Sequence, residues 1–165
     1  FLPTPVIVLD ISLENKHSER IVDLDYSVGY SQEYGSYFVS EEEIIEFASK
    51  YDPQPFHLSD EAGKAMIFGG LCASGWHTGA IAMRMTVDNM PADSAGLGSP
   101  GIDELRWIKP VFPGDTLRMK STVAGKKESK SRPEMGIVFM LNEVLNQKDE
   151  LVMSFKPTVM FKKRN

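Results

Sequence analysis

The sequence has a single cysteine, Cys72, among its 165 residues. One thiol excludes an intrachain disulfide, and such sparing use of cysteine is typical of a reducing compartment, so we expect a cytoplasmic location. Positive charge is also scarce, because 18 lysines and arginines stand against 23 aspartates and glutamates and leave a formal charge of −5. A chain without a basic excess attracts neither nucleic acid nor an anionic membrane surface, and we expect neither as a partner.

Long hydrophobic runs and nucleotide-binding signatures are missing as well. The longest mainly apolar stretch, 69–85, contains His77, Thr78 and Arg84, so it is not a membrane span. Neither a phosphate-binding loop nor a GxGxxG dinucleotide fingerprint occurs, and no spacing of potential ligands is diagnostic of a metal site. We therefore expect no metal and no redox cofactor.

The length and composition are those of one globular domain, with 42% hydrophobic and 25% charged residues. The beginning of the sequence differs from the rest. Pro3 and Pro5 prevent a helix there, and 14–20 is polar without periodicity. We interpret 1–20 as an extended N-terminal arm and 21–162 as the domain.

The helical signals lie in the middle of the chain. Ser40 and Glu43 form a capping box, and the apolar face that follows predicts a short helix ending near Tyr51. A second short helix can be capped by Ser59 or Asp60. The longest predicted helix, 71–85, carries small and apolar residues on nearly all sides, which indicates a buried helix.

Strand periodicity dominates the C-terminal third. A Gly/Ser/Pro loop is predicted at 91–100, an extended segment at 101–109, charged or polar hairpin tips at 126–133 and 146–149, and strands at 37–39, 116–124, 136–144 and 151–161. Strands that follow a group of helices are typical of an α+β domain with an antiparallel sheet. The apolar helix is the element that such a sheet would wrap.

Three histidines limit the candidates for acid–base chemistry. His57 follows Asp52 by five residues in a loop stiffened by two prolines, Pro53 and Pro55. An imidazole and a carboxylate held together are what proton transfer to and from water requires. The alternative is structural: the aspartate caps a turn and the histidine is satisfied locally.

The glycine pair Gly69-Gly70 precedes the predicted long helix. Unpaired N–H groups at a helix N-terminus can bind a carbonyl oxygen that gains negative charge during a reaction. Alternatively, the glycines only let the chain turn and pack closely. His77, on the same helix, is interpreted as a hydrogen-bonded core residue, and Cys72 as a small core residue without an activator for its thiol.

In order along the chain, three motifs resemble the MaoC-like dehydratase family, whose members include (R)-specific enoyl-CoA hydratases. They are Phe47-Ala-x-x-Tyr-Asp-Pro-Gln-Pro-Phe-His57, Phe68-Gly-Gly-Leu-x-Ala-Ser-Gly-Trp-His-Thr78 and Gly101-Ile-Asp-Glu-Leu-Arg-Trp-Ile-Lys-Pro-Val-x-Pro-Gly-Asp115. The resemblance implies a hot-dog fold, in which an antiparallel sheet wraps one long helix. It further implies a homodimer that binds acyl-CoA along the subunit interface.

The resemblance also implies roles for individual residues. Asp52 and His57 match the catalytic pair, Gly70 matches the glycine whose N–H binds the thioester oxygen, and Thr78 matches a hydroxyl residue of the helix. The implied reaction is reversible addition of water to a 2-enoyl-CoA, with coenzyme A entering as part of the substrate. Ser59 stands where many relatives have aspartate, and because serine also caps helices we expect little effect.

Two other functions are compatible with this fold. A hot-dog acyl-CoA thioesterase usually carries an acidic residue on or near the central helix, whereas 71–85 contains no aspartate or glutamate. A non-catalytic acyl-thioester binding module would have no need of both Asp52 and His57. These features favour the hydratase, and an activity measurement distinguishes the three.

Overall fold

The computed structural model describes residues 27–90, 94 and 96–162. The predicted N-terminal arm over 1–20 lies outside the described residues, as does part of the loop predicted at 91–100. Among the described residues, no helix is long and apolar enough to cross a bilayer.

The elements follow the predicted order, with one strand first, then the helices and then the remaining strands. They are β1 (Ser31–Phe38), α1 (Glu41–Tyr51), a 3₁₀ turn (Pro55–His57), α2 (Asp60–Lys64), α3 (Gly75–Asp88), β2 (Gly96–Trp107), β3 (Thr116–Glu128), β4 (Met135–Leu145) and β5 (Leu151–Lys162). The five strands form one antiparallel sheet in the order β1-β3-β4-β5-β2. The predicted α+β architecture with an antiparallel sheet is confirmed.

The core lies between one face of the sheet and α3. Side chains of β3 alternate between this face and the opposite one, as the pleat of a strand requires. Buried apolar residues of the sheet meet those of the helix in one cluster, which includes Leu117, Met119, Val144, Val152, Met153, Ile81, Ala82 and Met85. The sheet therefore wraps α3, as predicted.

The capping signals correctly predicted both short helices. The Ser40 side chain accepts a hydrogen bond from the backbone N–H of Glu43 and begins α1. Ser59, rather than Asp60, is the cap of α2, accepting from the N–H of Ala62. Each cap satisfies an N–H group that the helix itself leaves without a partner.

The predicted bounds and environment of α3 need correction. The helix begins at Gly75 rather than Leu71, because Ser74 is its N-cap and the preceding residues are extended. It is also not buried on all sides: Trp76, Met83 and Val87 are 63%, 55% and 55% exposed. The described residues therefore leave one apolar face of α3 uncovered.

Several strands extend beyond their predictions. β1 begins at Ser31, well before the predicted 37–39, and β3 continues to Glu128 into the predicted hairpin tip. β2 begins at Gly96, inside the predicted loop, because pairing with β5 compensates for the poor strand propensity of its glycines. β2 is an edge strand of the sheet.

Candidate active site

Asp52 lies where α1 ends. Its backbone N–H donates to the carbonyl of Ala48, and Pro53 directly after it disfavours continuation of the helix. One carboxylate oxygen, Oδ1, accepts a hydrogen bond from the Gln54 side-chain amide at 2.8 Å. The other oxygen, Oδ2, points toward His57. The proline-containing loop therefore holds the carboxylate at a fixed place.

His57 ends the 3₁₀ turn that follows and is 6% exposed. Its Nδ1 lies 2.7 Å from the carbonyl oxygen of Cys72. A carbonyl only accepts hydrogen bonds, so this contact assigns a proton to Nδ1. Nε2 then faces Asp52 Oδ2 at 3.5 Å. The structure thus brings together the two residues that the motif predicted, with Nε2 as the ring nitrogen that faces the carboxylate.

Ser74 is a third polar residue in this site, and we did not predict it. Its hydroxyl donates to Asp52 Oδ2 at 2.7 Å and accepts from the backbone N–H of Trp76 at 3.2 Å. The side chain is fully buried. The available signal was the preference of serine for N-cap positions, but a helix placed from Leu71 put Ser74 in its interior.

The surroundings of Asp52 favour its ionised form. The hydrogen bond from Ser74 lowers the pKa of this carboxyl most, the hydrogen bond from Gln54 lowers it further, and partial burial opposes both. Hydrogen bonds donated to a carboxylate stabilise the charged form. Asp52 is therefore a carboxylate in the neutral pH range, and Nε2 of His57 faces a negative charge.

Gly69 and Gly70 lie apart from the helix that they were predicted to begin. Gly69 has a φ of 79°, in the left-handed region, and Gly70 is buried. Because α3 begins at Gly75, its dipole does not act at Gly70, and that part of the prediction is wrong. The N–H of Gly70 has no acceptor among the described residues, whereas the N–H of Leu71 donates to Asp60. Its role as a thioester-oxygen donor stays a prediction.

Thr78 is buried on α3, but it does not contact the pair. Its hydroxyl donates to the carbonyl of Ser74 at 3.4 Å, within the helix. Its predicted role in substrate binding stays a prediction. The hydroxyl that does reach the carboxylate belongs to Ser74.

His77 is a core residue, as interpreted from the sequence. It is 2% exposed, stacks on Phe47 and places Nε2 3.3 Å from a Glu43 carboxylate oxygen. With Tyr51 it lines a cavity of about 700 Å³ between α1 and α3. Burial lowers the pKa of His77, although Glu43 acts in the opposite direction. Its Nδ1 has no hydrogen-bond partner among the described residues.

Cys72 is 1% exposed, and burial raises the pKa of its thiol. Its sulfur lies 3.7 Å from Nδ1 of His57, a neighbour that we did not predict. A buried thiol of raised pKa is a poor nucleophile. Over the ranges described, no group of three or more histidine, cysteine, aspartate or glutamate residues is placed to hold a metal ion.

Fold and site together define an α+β domain that presents a carboxylate–imidazole pair beside the start of its long helix. The chain belongs to the MaoC-like domain family, whose model matches residues 26–140. It is similar to the crystal structure of the MaoC-like dehydratase from Rhodospirillum rubrum, with a TM-score of 0.79 and 40% identity over 86% of this chain and 96% of that chain.

Two curated relatives extend the comparison. The chain is 29% identical to the uncharacterized protein YdeM of Bacillus subtilis (strain 168) over 139 residues, which are 84% of this chain and 97% of that protein. It is 51% identical to a mesaconyl-CoA hydratase of Cereibacter sphaeroides over 65 residues, which are 39% of this chain and 19% of the relative. The chain therefore matches only a small part of that hydratase.

Similarity at lower identity concerns the fold alone. The (R)-hydratase PhaJ1 of Pseudomonas aeruginosa, unliganded, has a TM-score of 0.63 at 24% identity. A Mycobacterium tuberculosis protein described as having a double hot-dog fold has a TM-score of 0.71 at 18% identity over 85% of this chain and 43% of that chain. The predicted hot-dog fold is confirmed.

Proposed function

We propose that the protein is an acyl-CoA hydratase/dehydratase, which adds water reversibly to a 2-enoyl-CoA and forms a 3-hydroxyacyl-CoA. The observation that carries the proposal is the pair formed by Asp52 Oδ2 and His57 Nε2, 3.5 Å apart, in which the histidine is buried and the aspartate is partly exposed. Both atoms accept hydrogen bonds, and a water molecule has two O–H groups to donate. Membership of the MaoC-like family and similarity to a MaoC-like dehydratase support the same reaction.

The structure supports a division of roles between the two residues. Asp52 accepts two hydrogen bonds from protein side chains, which make its carboxylate a weak base. His57 keeps Nδ1–H on the carbonyl of Cys72 and presents Nε2 as the stronger base. We assign His57 as the group that takes the proton of water, and Asp52 as the charge that stabilises the resulting imidazolium.

The proposed reaction has two steps, in which atoms and charges balance. Water loses a proton to His57 Nε2 as its oxygen bonds to the β-carbon, and the electrons of the double bond move to the thioester oxygen. The enolate next takes the proton from Nε2 at its α-carbon, which regenerates the neutral imidazole. Gly70 N–H is the proposed donor to the enolate oxygen, and one donor of this kind typically lowers the barrier by about 3 kcal/mol.

The proposed reaction involves no change of oxidation state in any protein group, and we propose that it needs neither a metal nor a redox cofactor. Coenzyme A enters as the carrier part of the substrate. The conjugated thioester carbonyl makes the β-carbon electrophilic, so the protein's task is to position water and to stabilise the enolate.

We further propose that the protein is a homodimer, and the uncovered face of α3 supports this. Trp76, Ala80, Met83 and Val87 follow one another at spacings of four, three and four residues. Such spacing gives a narrow apolar seam of the kind that packs one helix against another. A seam this exposed in the single chain indicates a partner, and the partner we propose is a second copy.

The edge strand β2 supports the same partner. Among the strands that the structure describes, β2 pairs only with β5, and Leu97, Ile102 and Trp107 on it are about half exposed. A long unpaired edge with apolar side chains is a site for pairing with another strand. We propose that two copies join their β2 edges and their α3 helices around a twofold axis.

Incubation with a panel of 2-enoyl thioesters tests the proposed reaction. We suggest crotonyl-, hexenoyl- and octenoyl-CoA, with mesaconyl-CoA added because of the relative in C. sphaeroides. Loss of the ultraviolet band of the conjugated enoyl thioester, with no free thiol released, is the expected result. Release of coenzyme A thiol would instead indicate a thioesterase. No reaction with any of the four substrates would count against the hydratase proposal.

A further inference from the structure

Ser74 connects the end of one helix to the beginning of another. Asp52 is the C-cap of α1, and Ser74 is the N-cap of α3. The hydroxyl accepts the N–H of Trp76 at 3.2 Å and donates to Asp52 Oδ2 at 2.7 Å. Trp76 N–H, the Ser74 hydroxyl and the carboxylate therefore form a continuous chain of hydrogen bonds.

We propose that Ser74 is a positioning residue for the hydration reaction: it holds Asp52 Oδ2 facing Nε2 of His57 and keeps the carboxylate charged. This inference rests on the proposed function, and it adds a residue that neither the motif nor the family resemblance assigned. Ser74 acts through Asp52, since it is fully buried and, among the described residues, its hydroxyl bonds only to the N–H of Trp76 and to the Asp52 carboxylate.

Two physical effects give Ser74 this role. Donation to Oδ2 fixes the carboxylate's rotation, which the Gln54 amide on Oδ1 alone would not do. The N–H groups at a helix N-terminus carry partial positive charge, and a hydroxyl bonded to one of them becomes a better donor. Through Ser74, the partial positive charge at the N-terminus of α3 thus acts on Asp52, although none of the described N–H groups of the helix donates to that carboxylate directly.

Thr78 provides an internal contrast. It is also a buried hydroxyl residue on α3, but its Oγ1 donates to the carbonyl of Ser74 at 3.4 Å, within its own helix. The contact with Asp52 is therefore made by the N-cap residue, Ser74, and not by Thr78. Loss of the Thr78 hydroxyl leaves the chain from Trp76 to Asp52 unbroken.

The test replaces Ser74 by glycine, which N-cap positions tolerate nearly as well as serine, with Ser74→Ala as a second variant. Ser40→Ala is the matched control, because Ser40 caps α1 in the same way but its hydroxyl contacts no carboxylate among the described residues. For Ser74→Gly we expect kcat to fall about tenfold to a hundredfold, the usual effect of losing a hydrogen bond to a charged group. KM should stay within about twofold, since the hydroxyl is buried away from substrate.

The pH dependence adds a readout that a purely structural role would not move. Loss of the Ser74 hydroxyl raises the pKa of Asp52, so the steeper, lower part of the acidic limb of the kcat/KM profile, where Asp52 as the weaker base takes up its proton, should begin at higher pH. Ser40→Ala should leave that limb in place. A double variant, Ser74→Gly with Asp52→Asn, should be no slower than Asp52→Asn alone, because Ser74 acts only through the carboxylate.

A measurement without substrate separates this inference from the proposed reaction. The ¹³C resonance of the Asp52 carboxyl, assigned by its loss in Asp52→Asn, is titrated in the wild type, Ser74→Gly and Ser40→Ala. We expect a higher midpoint in Ser74→Gly alone, whether or not any enoyl-CoA is hydrated. An unmoved midpoint in Ser74→Gly would overturn the inference, and so would wild-type kcat in a folded Ser74→Gly variant of an active hydratase.

Discussion

The indole of Trp107 occupies the space in which a side chain at position 75 would begin. A Cβ atom added to Gly75 would lie 2.5 Å from both Nε1 and Cε2 of Trp107. Trp107 ends β2 and Gly75 begins α3, so this contact sets the distance between the edge strand and the start of the long helix. Trp76 packs edge-on against the same indole, at 5.2 Å between ring centroids.

Gly75→Ala should therefore destabilise the protein by displacing the Trp107 ring, at a cost of about 1–3 kcal/mol. In a Trp107→Ala background the same change should be neutral or slightly stabilising, because alanine favours the helix. A double-mutant cycle of urea unfolding free energies measures the coupling. Equal destabilisation by Gly75→Ala in both backgrounds would contradict the contact.

The proposed catalytic pair, Asp52 and His57, yields the second prediction. Asp52→Asn and His57→Gln should each lower kcat by about 10²–10⁴-fold, the usual contribution of a positioned acid–base group. The double variant should be little slower than either single one, since the two residues act on one water. Asp88→Asn, which removes a carboxylate paired with Arg84 at the other end of α3, serves as the control and should keep full activity. Near-wild-type turnover in either site variant would remove that residue from the mechanism.

Met83 tests the proposed dimer. The wild-type protein should have the mass of a dimer at micromolar concentration, measured by light scattering after gel filtration. Met83→Glu should weaken the dimer by about tenfold or more, because it places a charge in an apolar seam. Ile67→Glu is the control: Ile67 is 94% exposed but lies outside the seam, so its substitution should leave the mass unchanged. A monomeric wild-type protein would contradict the proposal.

We expect His77 to lower the free energy of unfolding on mild acidification. Because burial lowers its pKa in the folded protein, the unfolded chain takes up the proton first as the pH falls. The stabilisation is complete above the unfolded pKa of histidine, about 6.5, and is lost as the pH falls through that value toward the folded pKa. The drop in urea midpoint between pH 7.5 and 5.5 should be smaller in His77→Gln. The same drop in both proteins would show that His77 does not contribute.

Local signals predicted the fold well because most of them act over a few residues. Ser40 and Ser59 mark helix starts through bonds to N–H groups three residues later, and a pattern of this range is visible in the sequence. The start of α3 could not be placed this way, since Leu71 and Cys72 are apolar and compatible with a helix. Tertiary bonds keep that segment extended, among them Ala73 N–H to the carbonyl of Val111.

In the candidate site, too, contacts between residues close in the sequence could be predicted and contacts between distant residues could not. The proline-stiffened loop joins Asp52 to His57 over five residues, and the motif predicted their meeting. Ser74 reaches Asp52 across 22 residues and His57 reaches the carbonyl of Cys72 across 15, and only the packing of α1, α3 and the loop between them brings these groups together. The backbone carbonyl of Cys72 can accept this hydrogen bond whatever the side chain is, so the residue type at position 72 does not predict the contact.

The contact that orients His57 is made by the peptide backbone at position 72, and the cysteine side chain there has no part in that bond. Substitution by alanine or valine keeps the carbonyl in place and removes the protein's only thiol. A cysteine introduced elsewhere in that background would be the sole point of attachment for a maleimide dye or spin label. Distances between the two copies of the proposed dimer could then be measured with the site left intact.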